Sequence, residues 1–160
     1  MSMGGAMVAI KEEKLKEIML NQEQLESFIF DENNEKSGEI SICTMEQAWD
    51  AIRILLSDER GDGDLWGFLD SEDKELPLGE SGVWLDKKQT RRMAEYLEKI
   101  NQEKLEELFN SDDYQQAEFY WEEVWKDEDN KEDLFDFILN LKVFAKKTVE
   151  ENKILLFYVA

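Results

Sequence analysis

The sequence contains no histidine, one cysteine and one proline in 160 residues. Each shortage removes a class of chemistry. Without His, no Ser-His-Asp or Cys-His machinery can form and no imidazole can ligate a metal. One cysteine, Cys43, makes neither an internal disulfide nor a thiolate zinc site. It lies in the apolar run Ile40–Cys43 (ISIC) and is expected as a buried structural thiol. Basic charge is also scarce: 19 Lys and Arg face 39 Asp and Glu, for a net charge of −20 at pH 7. That balance repels phosphate, so binding to DNA or RNA is not expected, and an anionic membrane surface is disfavoured for the same reason. No apolar stretch approaches a transmembrane span, and no basic-then-apolar leader opens the sequence. The expected location is the cytoplasm.

What is present argues for a folded chain. Hydrophobic residues make up 42% and aromatics 11%, with five Trp and nine Phe. A disordered acidic chain lacks the apolar surface that offsets ordering entropy. The length suits one domain over residues 1–160, with an acidic exterior around an ordinary core.

Hydrophobic spacing places the elements. Met3–Ile10 reads as a buried strand, and Lys11–Asn21 as an amphipathic helix through Leu15, Ile18 and Met19. A second short helix carries Leu25, Phe28 and Ile29, and Asp31–Gly38 reads as a polar loop. Glu39–Cys43 alternates as a strand. Thr44 and Gln47 then have capping-box spacing for a helix bearing Trp49, Ile52, Leu55 and Leu56. Residues 65–82 read as mostly irregular, and Gly82–Asp86 as an extended entry to a helix capped by Asp86 and Gln89. Met93, Leu97 and Ile100 form that helix's stripe; Asn101 interrupts it, and Leu105, Leu108 and Phe109 resume it. The strongest periodicity runs from Lys131 to Glu151, through Leu134, Phe137, Ile138, Leu141, Phe144 and Ala145, with Asn152 as terminator. Lys153–Ala160 (KILLFYVA) is a strand expected inside a sheet, beside the N-terminal strand. The expected class is α+β or layered α/β, a small mixed sheet including both chain ends and covered by about five helices.

Candidate sites are few. Asp58, Glu59, Asp62 and Asp64 surround Gly61 and Gly63, but an EF-hand register starting at Asp58 puts Arg60 at position 3 and Leu69 at position 12. The bidentate acid is therefore missing, and no metal site is assigned. Carboxylate pairs are so abundant that no glycosidase-type pair stands out. The glycines form no phosphate-cradling loop, so no cofactor is expected and no catalytic residue is assigned. Trp66, Trp84, Tyr120, Trp121 and Trp125 lie in or beside acidic or irregular segments. Aromatics among carboxylates suit an interface for a basic partner, and these five are the candidate partner-binding residues; the alternative is that they pin the loops to the core.

The order of segments resembles the bacterial DUF1877 family. Met1, Met3 and Gly5 match its opening. Met45–Ser57 is similar to its Trp-Asp-x-Ile-His-x-Leu-Leu segment through Trp49, Asp50, Ile52, Leu55 and Leu56. Gly82–Ile100 resembles its extended piece and helix through Met93, Ala94, Leu97 and Ile100, and Leu134–Ala160 its terminal helix and strand. Arg53 stands where the family often has His, Ser57-Asp58 where it often has Thr-Gly, and Tyr120-Trp121 only echoes its Tyr-Pro before a Trp. The resemblance implies a fold and no established reaction, so it supplies no catalytic residue.

Two functional expectations follow. The first is a non-enzymatic acidic module that binds a basic protein, for instance as an immunity or inhibitor protein masking a cationic toxin. The second is a small-ligand protein or Asp/Glu-dependent enzyme with a pocket near residues 65–84, lined by Trp66 or Trp84.

Overall fold

The computed structural model of the chain describes residues 3–57 and 72–160. Five strands form one sheet in the order β2-β1-β5-β4-β3: β1 (Gly5–Ile10), β2 (Ile40–Glu46), β3 (Glu75–Leu76), β4 (Ser81–Trp84) and β5 (Ile154–Val159). The two chain-terminal strands are central neighbours, with Met7 opposite Phe157 and Val8 opposite Leu156. Every residue of β1 is buried. This is why both strands read as continuous apolar runs: each is paired on both edges and covered on both faces.

The alternation of side chains along the strands splits the core in two. Met7, Val83, Leu155 and Phe157 point to one face, and Val8, Ile10, Ile40, Trp84, Ile154 and Leu156 to the other. The second face is covered by α1 (Glu12–Ile18) and α2 (Gln22–Ile29) through Leu15, Ile18, Leu25 and Ile29. The first packs against α4 (Trp49–Leu55), α5 (Lys87–Glu98), α6 (Gln102–Phe109) and α9 (Lys131–Glu150). The smaller helices are α3 (Glu32–Lys36), α7 (Asp112–Gln116) and α8 (Glu122–Trp125). The class is α+β, as expected. Two details differ from the sequence reading: every strand pair is antiparallel, so the sheet is not mixed, and nine α-helices lie among the described residues rather than about five.

Local chemistry accounts for the helix ends. Asp86 and Gln89 form a full capping box at α5. Asn21, Asn101 and Ser111 cap α2, α6 and α7 through side-chain oxygens. Asn152, with φ of 57°, closes α9: its N–H reaches the Val149 carbonyl at 3.0 Å, and the Lys153 N–H reaches Thr148 at 3.0 Å. That pair of bonds is a Schellman motif with Asn in the left-handed position.

Other readings are corrected. Thr44 does not cap a helix. The strand continues to Glu46, among the described residues Thr44 Oγ1 accepts only the Glu46 N–H, and α4 starts at Trp49 behind Ala48 with no side-chain cap. The pairing of β2 with β1 as far as Gly5 outweighs the local capping signal. Asp31–Gly38 is not a plain loop, because Asp31 accepts the Asn33 N–H and starts α3. Residues 75–84 contain the hairpin β3–β4, turned at Gly79 with φ of 60°. Cys43 is half-buried in β2, and burial pushes its thiol up to about 11, which keeps it protonated and unreactive near neutrality.

Candidate partner-binding site

The segment between α7 and α8 is fixed by contacts that reach far along the chain. Asp50, in the first turn of α4, is 8% exposed, and its two oxygens are divided between two donors. Oδ1 accepts from Arg53 Nε at 2.8 Å, and Oδ2 accepts from the Tyr120 backbone N–H at 2.9 Å. The Tyr120 hydroxyl accepts the Met3 N–H at 2.9 Å, while Trp49 Nε1 donates to the Met3 carbonyl at 3.2 Å. The chain's beginning is thus clamped between two aromatic side chains. Gly5 is required beside them, since a Cβ there would overlap the Trp49 side chain.

On this clamp stands a run of stacked rings. Trp49 and Tyr120 have centroids 6.0 Å apart, and Tyr120 and Trp121 5.7 Å, both stacked. Trp121 has φ of 62° and ψ of 35°, the left-handed region that a bulky residue rarely adopts. The surroundings over-determine this conformation. The Trp121 carbonyl accepts the Val124 and Trp125 N–H groups at 3.0 and 3.1 Å and so starts α8. Asp50 holds the residue before it, and the Phe119 ring packs on Tyr114 at 5.3 Å. Lys126 ties the Ala117 carbonyl to Glu122 and lies over the Phe119 ring.

The five aromatics singled out from the sequence have different surroundings. Trp121 is 37% exposed, and Tyr120 is half-buried beneath it. Trp125 is buried, donating Nε1 to the Gln47 carbonyl, and its own carbonyl accepts the buried Tyr114 hydroxyl at 2.6 Å. Trp84 is buried on the opposite sheet face with Leu76, Leu78 and Leu156, under the Lys74 ammonium 4.6 Å from its ring centre. Its indole N–H has no hydrogen-bond partner among the described residues. Trp66 lies outside the described residues, as do the acids 58–64 weighed for calcium. Tyr120 and Trp121 therefore come together, with Trp49 as a third member that sequence reasoning assigned to the core. Asp50 was the residue missed. Its partner backbone is 70 positions away, and only the Trp-Asp pair at the start of a helix marked the place.

Negative charge concentrates in the stretch of sequence that contains Tyr120 and Trp121. Residues 111–136 hold eleven carboxylates and two lysines, a net −9 of the chain's −20. Both lysines are committed within the fold, Lys126 as described and Lys131 to Glu106 at 3.0 Å and Glu128 at 2.6 Å. The two carboxylates raise the Lys131 pKa and hold its charge in place. Ten of the eleven acids are exposed, Glu118 and Glu123 among them on either side of Trp121 in sequence. A separate cleft of about 680 Å³ opens between α4, α5 and α6, with Leu55, Ile100 and Leu108 as apolar walls and Lys99 and Lys104 beside Glu107 and Asp113. Among the described residues no group of three His, Cys, Asp or Glu side chains is placed to hold a metal ion, and no helix is long and apolar enough to cross a membrane.

An antiparallel sheet with terminal strands at its centre, helices on both faces and an acidic aromatic edge defines an α+β protein without a recognisable catalytic constellation among the described residues. The model of DUF1877, a domain of unknown function, matches residues 1–158, and the chain belongs to that family. Its fold is similar to the crystal structure of YfbM from Escherichia coli, a protein of unknown function: 11% identity, 98% of this chain and 99% of that one covered, TM-score 0.62. At that identity the likeness is one of fold. No curated protein matches the chain.

Proposed function

We propose that this DUF1877 protein is a non-enzymatic binding module whose α7–α9 surface captures a basic protein. The observation that carries the reading is the surplus of exposed carboxylates over residues 111–136, where both local cations are already paired internally. Such a surface steers a cationic partner and accelerates encounter, and the effect fades as salt rises. Masking a basic protein, as an inhibitor or immunity protein does, requires this complementarity and no reaction.

The test is affinity capture from a lysate of the source organism. The wild-type chain is compared with a variant carrying Glu118→Gln, Glu123→Gln, Asp129→Asn and Asp136→Asn. These four exposed acids make no ion pair among the described residues. The expected result is a basic protein retained by the wild type at low ionic strength, released by salt and absent from the variant's eluate. Equal recovery on both baits, or no basic protein on either, would refute the reading.

A further inference from the structure

Trp121 is the exposed end of a ring stack whose geometry is built rather than incidental. A left-handed backbone conformation at a non-glycine residue is strained and persists only where neighbouring structure imposes it. Here the buried Asp50 carboxylate, the Tyr120 hydroxyl and the first turn of α8 all impose it. The outcome is an indole backed by Tyr120 and Trp49 and left 37% exposed. Of the other exposed apolar side chains, Leu20 and Val143 are the isolated kind found on any surface, and Phe30, 48% exposed, meets a single ring, Tyr158, edge-on at 5.4 Å rather than a stack.

We propose that Trp121 is the anchor for an arginine side chain of the basic partner. Resting on the reading above, this names the group that the acidic surface recognises. A guanidinium is planar, always charged and weakly hydrated. It therefore stacks on an indole face more readily than a compact ammonium does, and its remaining N–H donors stay free to bond carboxylates. Glu118 and Glu123 flank Trp121 in sequence, and the nearest cation in sequence, Lys126, is turned inward to Ala117, Glu122 and Phe119. Among the described residues no cation lies over the Trp121 ring, so its face is left to a cation supplied from outside. A stack already ordered by the fold loses little entropy when the guanidinium docks.

The test uses two synthetic peptides of equal length and charge, one bearing four arginines and the other four lysines. Both are titrated calorimetrically at low salt into the wild type and into Trp121→Gly. Glycine accepts the positive φ without strain, and circular dichroism establishes that the variant is folded. The wild type should bind the arginine peptide several-fold more tightly than the lysine peptide. Trp121→Gly should weaken arginine-peptide binding by about two- to thirty-fold and erase the preference. If both peptides bind the wild type with equal affinity, or the variant binds as the wild type does, the anchor is overturned while the acidic surface stands. If neither peptide binds the wild type, both proposals fall. The arginine preference is measured on the unaltered protein, so the test survives a variant that does not fold.

Discussion

Asp50 joins two distant segments of the chain through one buried carboxylate. Its carboxylate closes α4 onto itself through Arg53 and holds Tyr120 from the far side of the chain. Replacing it with alanine removes both bonds and leaves a Tyr120 N–H without an acceptor in a half-buried setting. The expected loss is about 2–3 kcal/mol of stability, read as a lowered urea midpoint at unchanged m-value, with Asp50→Asn losing less because one amide oxygen still accepts. An unchanged midpoint in Asp50→Ala would mean that the clamp is not held by this carboxylate. Little of this was legible in the sequence. The Trp49-Asp50 pair could be seen, but an acid at the start of a helix is ordinary, and its second partner comes from a different part of the fold. Trp84 and Trp125 show the converse. Acidic or irregular neighbours in sequence left open whether these rings face a partner or pin loops to the core, and tertiary packing buried both.

The helices and strands follow local rules wherever those rules have no competitor. Asp86 and Gln89 cap α5 as their spacing predicts, and Asn152 ends α9. Removing the cap with Asp86→Ala also breaks the 3.6 Å contact with Lys74. It should cost about 1 kcal/mol, seen as a lowered thermal midpoint, and a midpoint equal to wild type would contradict the role. Thr44 and Gln47 offered the same spacing and failed, because β1 claims that backbone as far as Glu46. A capping signal is worth about 1 kcal/mol, and several ladder bonds along a buried strand exceed it. Thr90 illustrates a contact no local rule contains: its hydroxyl accepts the Leu155 N–H at 3.2 Å, joining α5 to β5 where β4 has ended.

Over the whole molecule, the charge of −20 sets the behaviour in solution. Like charges on a compact surface repel one another, and salt screens that repulsion within a Debye length of about 10 Å at 0.1 M. The thermal midpoint should therefore rise between about 10 mM and 0.5 M sodium chloride, while peptide capture on the α7–α9 surface should weaken over the same range. A midpoint that falls steadily with salt would indicate that favourable ion pairs, rather than repulsion, dominate the surface. The sequence by itself determined the class of fold, the two end strands as neighbours in one sheet, the start of α5, the limits of α9 and the chemistries that absence excludes. These depend on composition, periodicity and spacing, which the sequence states directly. The tertiary structure alone decided which aromatics reach solvent, that Met3, Trp49, Asp50 and Tyr120 form one clamp, and that Trp121 is held in a strained conformation at its end. Those outcomes depend on particular side-chain contacts between residues far apart in the chain, and a pattern that suffices to bring two apolar end strands together does not specify such contacts.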